Sequence, residues 1–133
     1  MKSIEVISIP VSNQEISKAF YLKLGFQILV EAPMGNGQTW LQLGIPNQAT
    51  SISLVSWWPY KEVEMPAGSL KGLMFETDEI EKEVKDLQKK GVQAGTIGKN
   101  GFEAGKIDDT PWGKFTHIMD PDGNGISIHQ KMI

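Results

Sequence analysis

Hydrophobic and polar positions change period along this chain in a fixed order. Ile4 to Val11 reads Ile-Glu-Val-Ile-Ser-Ile-Pro-Val, and alternation sets Ile7, Ile9 and Val11 on one face of a strand with Val6 and Ser8 on the other. A helical recurrence follows, through Ile16, Ala19, Phe20 and Leu24, opened by Ser12 with Glu15 at capping-box spacing and stopped at Gly25. Phe26 to Glu31 is an apolar run of strand length, and Pro33, Gly35, Asn36 and Gly37 supply a turn. Gln38 to Gly44 then alternates Trp40 and Gln42 against Leu41 and Leu43, and Ser51 to Trp57 alternates Ile52 and Leu54 against Ser53, Val55 and Trp57. The first half therefore predicts βαβββ.

Residues 59–69 carry Pro59, Pro66 and Gly68 among charges, a linker composition. A second unit follows, with a strand over residues 70–77 and a helix capped by Asp78. Ile80, Val84 and Leu87 form the apolar stripe of this helix, the pairs Asp78–Lys82, Glu81–Lys85 and Asp86–Lys90 support its polar face, and Gly91 ends it. A short strand over residues 92–97, a Gly-rich stretch over 98–113 and strands over 115–119 and 126–131 complete a second βαβββ. Ser12 and Asp78 are separated by the same 66 residues as Gly25 and Gly91, which marks a duplicated half. The expected class is α+β, with module 1 at about residues 1–58 and module 2 at about 70–133. The stretch 98–113 is a candidate lid or rim, being longer than most structureless connections.

Length and composition limit the chemistry. A chain of 133 residues fits one domain with a core of its own, and the absence of cysteine removes thiolate nucleophiles, Cys-ligated zinc and iron–sulfur clusters. Thirteen Lys and Arg against sixteen Asp and Glu give a formal charge of −3 without a basic block, so nucleic-acid binding lacks its usual footprint. No segment has the length of a signal peptide or a membrane span, and the expectation is a cytoplasmic protein without membrane partners.

Several stretches together resemble the vicinal oxygen chelate superfamily, which includes glyoxalase I, bleomycin and fosfomycin resistance proteins and extradiol dioxygenases. They are Ile9-Pro-Val-Ser12, the helix end Ala19-Phe-Tyr-Leu-Lys-Leu-Gly-Phe26, Phe75-Glu-Thr-Asp-Glu-Ile80, Thr110-Pro-Trp-Gly113 and Asp120-Pro-Asp-Gly-Asn124. The resemblance implies two paired βαβββ modules in a curved mixed sheet around a central cavity, commonly within a homodimer. It also places four metal-ligand positions, which fall here on Val6, Ser53, Gly72 and Ser127. Valine and glycine cannot ligate, and a neutral serine hydroxyl is a poor replacement for a carboxylate. Shifting the alignment by two residues reaches only Gln42, Glu76 and His129. No metal and no cofactor is expected.

His117 and His129 are the side chains whose ordinary range lies near neutral pH, and either is a candidate base or hydrogen-bonding partner on its strand. Trp40 and Trp57 lie opposite the predicted core residues, where they would stack on a planar ligand; Trp58 and Trp112 are weaker candidates. Asp120 and Asp122 read as turn residues rather than an acid pair, and no phosphate loop or nucleophile elbow is present. The candidate ligand-binding set is Val6, Trp40, Gln42, Ser53, Val55, Trp57, Met74, His117, Ser127 and His129. The expected function is metal-independent binding of an aromatic or amphipathic small molecule. Two alternatives stay open: an enzyme, metal-free with a histidine base or metal-dependent through ligands elsewhere, and an interaction module with a collapsed cavity.

Overall fold

The computed structural model describes residues 1–57 and 66–132. Two units emerge: Met1–Leu70 with Asp120–Asn124, and Lys71–Met119 with Gly125–Ile133. In the first, β1 (Val6–Pro10), α1 (Gln14–Lys23), β2 (Gln27–Gly35), β3 (Gln38–Gly44) and β4 (Ser51–Val55) follow the expected βαβββ order. The sheet order is β1-β4-β3-β2, with β1 parallel to β4 and the other pairs antiparallel. Alternation gives one face Ile9, Leu41, Leu43, Ile52 and Leu54, all buried, as are Tyr21 of α1 and Phe26 just beyond it. Each such side chain contributes about 1.5–3 kcal/mol.

Details of α1 correct the sequence reading. Its cap is Asn13, whose Oδ1 accepts from the Ile16 N–H at 3.1 Å, whereas the Ser12 N–H is taken by Asp122 Oδ2 at 3.0 Å. The buried helix face is Ser17 and Tyr21; Ile16 and Ala19 are exposed. The run Ile28-Leu29-Val30 is likewise exposed, because β2 is a sheet edge with register shifts between Ile28 and Val30 and between Pro33 and Gly35. The predicted turn tightens to Asn36-Gly37, both at positive φ, and β2 runs through Pro33 to meet it.

The turn Asp120–Asn124 belongs to this first unit. Asp120 Oδ1 accepts from the N–H groups of Asp122 and Asn124, both at 2.9 Å, and Oδ2 accepts from Tyr21 O–H at 2.9 Å and Asn124 Nδ2 at 2.7 Å. Asn124 also donates from Nδ2 to Pro10 O and accepts from Leu70 N–H through Oδ1. A buried carboxylate is tolerable here because four donors replace its water. Burial, and then the Asp120 charge, hold the Tyr21 phenol far above the usual tyrosine range. Gly68 fits beside the turn only as glycine, since at φ +85° a Cβ would lie 2.1 Å from Asp122 O.

The second unit contains β5 (Leu73–Glu76), α2 (Ile80–Lys89), β6 (Gly95–Gly98), β7 (Gly101–Ala104), β8 (Asp108–Thr110), β9 (Gly113–Met119) and β10 (Gly125–Lys131). The sheet order is β5-β10-β9-β6-β7, with β8 also paired to β9 and only β5–β10 parallel. There are thus two mixed sheets, of four and six strands, one in each unit, in the expected α+β class. Ile80, Val84 and Leu87 are buried as their spacing predicts. The cap is Glu79, without a side-chain cap bond, rather than Asp78; Gln130 Oε1 accepts from the Ile80 N–H instead, at 2.7 Å. Lys82 pairs with Glu79 rather than Asp78, and Glu81 pairs with Lys114.

The helices still register at the duplicated spacing, α2 beginning and ending 66 residues after α1, and Gly25 and Gly91 both hold positive φ. The Gly-rich stretch 98–113 is not a structureless lid: it contains β7 and β8, which short segments between glycines concealed. Within the linker and its flank, Trp58 and residues 59–65 lie outside the described residues. No helix is long and apolar enough to cross a membrane among the described residues.

Candidate functional site

Each sheet has a second face, opposite its buried one, and the predicted site residues divide between these two surfaces. In the first unit, Ser8 on β1 is the register partner of Ser53 on β4, and Ser53 of Gln42 on β3. Val6, Trp40 and Val55 share that face by alternation. A directed hydrogen-bond chain crosses it: Trp40 Nε1–H donates to Gln42 Oε1 at 3.1 Å, Gln42 Nε2–H to Ser51 Oγ at 2.7 Å, and the Ser51 hydroxyl to Glu5 O at 3.2 Å. Ser8 and Ser53 join their hydroxyls at 3.0 Å, Ser53 being fully buried. No ionisable side chain takes part. Trp57 stands beyond the end of β4, and its buried Nε1–H has no partner among the described residues.

In the second unit, the same geometry gathers Met74 on β5, Ser127 and His129 on β10 and His117 on β9. Ser127 is the register partner of both Met74 and His117, so the three form one row across the sheet. His117 Nδ1 and Ser127 Oγ are hydrogen-bonded at 2.9 Å. His129 stacks on Phe115 with centroids 4.4 Å apart and planes 16° from parallel. Its Nε2 lies 2.9 Å from Trp112 O; a carbonyl only accepts, so Nε2 carries the hydrogen. This bond fixes the turn before β9, where Gly113 has φ +126° and a Cβ would lie 2.2 Å from Gln130 O and 2.7 Å from His129 Nε2.

The row continues past His117 to Gly95 on β6 and Ala104 on β7. A Cβ on Gly95 would meet Glu103 O at 2.3 Å and Phe102 Cζ at 2.7 Å, so the β7 backbone and the ring of Phe102 together occupy the space that the glycine leaves. Met74, Ile97, Phe102 and Met119 share this face, each between 47% and 76% exposed. Sequence reasoning missed Ile97, Phe102, Phe115 and Met119. Phe115 and Met119 alternate with Thr116 and Ile118, a pattern present in the strand already predicted; Phe102 lay in a segment too short to show a period.

Of the four metal-ligand positions, Val6, Ser53, Gly72 and Ser127 offer no carboxylate or imidazole, and Glu76 is paired with Lys131 at 3.0 Å. Among the described residues, no group of three His, Asp or Glu side chains is arranged to hold a metal ion. Valine, glycine and neutral serine hydroxyls at these positions do not suit a divalent metal centre.

The family model described as Glyoxalase/Bleomycin resistance protein/Dioxygenase superfamily matches residues 3–128. The chain belongs to this superfamily. Among solved glyoxalase-superfamily structures, TnmS3, an antibiotic binding protein from Streptomyces sp. CB03234, is 35% identical with a TM-score of 0.82, the match covering 99% of this chain and 98% of that one. A glyoxalase/bleomycin resistance protein from the same source is 37% identical with a TM-score of 0.75, over 96% of this chain and 100% of that one. YwkD of Bacillus subtilis (strain 168) is 31% identical over 135 residues, 98% of each chain. The superfamily's α+β architecture is thus common to the chain and its relatives.

Proposed function

We propose that this protein binds and sequesters an apolar, ring-containing small molecule in the cytoplasm, as a homodimer and without a metal. The observation that carries the reading is the second sheet face, where Met74, Phe102 and Met119 stay exposed around the hydrogen-bonded His117 and Ser127. Exposed apolar side chains grouped around a few fixed polar atoms are the composition of a ligand surface. The antibiotic-binding relative at 35% identity supports the same reading, as do the uncharged Trp40, Gln42 and Ser53 on the first sheet. Affinity alone is the mechanism: burial of ring surface supplies the energy, and the amide, hydroxyl and imidazole groups orient the ligand.

The test is a calorimetric titration of the purified protein against aromatic antibiotics, with survival of a sensitive host expressing it as the second readout. Saturable binding, protection and recovery of unchanged drug are expected. Absence of binding, or conversion of the drug to a product, overturns sequestration; conversion would support the enzymatic alternative. Elemental analysis should find no stoichiometric metal in the active preparation, and a monomeric mass at micromolar concentration would overturn the dimer.

A further inference from the structure

We infer that His117 donates a hydrogen bond from Nε2 to a carbonyl oxygen of the ligand, and that Ser127 positions it by fixing its tautomer. This rests on the small-molecule reading above and narrows it to apolar ring systems bearing a carbonyl. The Ser127 hydroxyl has one hydrogen to donate, and His117 Nδ1 at 2.9 Å is its hydrogen-bond partner among the described residues. If Nδ1 carried the imidazole hydrogen, that nitrogen would donate to Ser127 and the hydroxyl would have no acceptor there. Ser127 donating into Nδ1 satisfies both groups and leaves the hydrogen on Nε2.

Nε2 has no hydrogen-bond partner among the described residues. Along the row, the Phe102 ring reaches to within 2.7 Å of where a Cβ on Gly95, the register partner of His117, would lie, and Met74 is the register partner of Ser127 on the other side. A ring system laid on Met74 and Phe102 would cover Nε2, and a donor so covered needs an acceptor on the ligand. Both flanking groups are adaptable or flat, which suits a planar body.

Two probes of nearly equal shape isolate this bond: acetylnaphthalene, which carries the carbonyl, and isopropenylnaphthalene, which replaces it with a methylene. Titration into nitrogen-labelled protein, followed by amide shifts, should show acetylnaphthalene binding about fivefold to tenfold more tightly. In His117→Phe the preference should shrink to about twofold or less while isopropenylnaphthalene binding is retained. Ser127→Ala should lose part of the preference, and His117→Gln, whose amide can donate, should restore part of it. Independently of any variant, the long-range nitrogen–proton spectrum of the unliganded wild type should place the His117 hydrogen on Nε2. Equal binding of the two probes, or a hydrogen on Nδ1, overturns the inference and leaves sequestration standing. Failure of both probes to bind also overturns it, and the antibiotic titration then decides sequestration separately.

Discussion

The second faces of the two sheets handle polar groups in different ways. On the first sheet, Trp40, Gln42 and Ser51 pass hydrogen bonds in one direction until the backbone oxygen of Glu5 ends the chain, and the Ser8 and Ser53 hydroxyls share one hydrogen bond. On the second, His117 bonds Ser127 through Nδ1 and its Nε2 has no partner among the described residues, on the face that also carries exposed Met74, Phe102 and Met119. A donor already matched within the protein gains little from a polar ligand group, whereas an unmatched donor beside apolar surface gains from one. Polar groups on the first face are thus turned mostly toward one another, while His117 Nε2 on the second has no partner among the described residues.

This contrast can be broken most severely at Gly113. Gly113→Ala must relieve a contact with backbone at positive φ, so a loss of about 3 kcal/mol in urea unfolding is expected, with the His129–Trp112 bond disturbed. A loss below about 1 kcal/mol would mean that the turn gives way easily and does not fix His129. Tyr21→Phe comes next, at about 2 kcal/mol, because it removes one of four donors from the buried Asp120 carboxylate. It should also change the alkaline limb of stability. The folded state keeps the Tyr21 proton while the unfolded state releases it, so wild-type stability falls as pH rises above about 10, and the variant should show a shallower fall.

Gln42→Leu tests the hydrogen-bond chain of the first face directly. It strands the Trp40 N–H and removes a donor from Ser51, for a loss of about 1–2 kcal/mol without any ligand present. His117→Phe should be the mildest, within about 0.5 kcal/mol of wild type in the same unfolding measurement, since the imidazole is only half-buried and holds a single partner. A cost as large as that of Gln42→Leu would place His117 among structural residues and erase the distinction between the faces.

Much of the architecture was legible because it depends on local period. The strand alternations Trp40/Gln42 against Leu41/Leu43 and Ser53/Val55 against Ile52/Leu54, the stripe Ile80/Val84/Leu87 and the terminators Gly25 and Gly91 carry their own signals. The same alternation placed Met74, Ser127 and His129 on one face, together with Val6 and Ser53 on another. The amino-acid inventory alone excluded cysteine chemistry.

What the tertiary structure decided are matters of partner choice. Helix α1 buries Ser17 and Tyr21 instead of Ile16 because Tyr21 must reach Asp120, 99 residues away, a preference that no helical period encodes. Asn13 rather than Ser12 is the cap, its Oδ1 accepting from the Ile16 N–H, and β7 is recognisable only through its pairing with β6. The pairing of His117 with Ser127, and the place of Phe102 beside them, follow from strand register and from the missing side chain of Gly95. Local chemistry fixes which residues form a strand or helix, but long-range hydrogen bonds and contacts choose between faces of similar hydrophobicity.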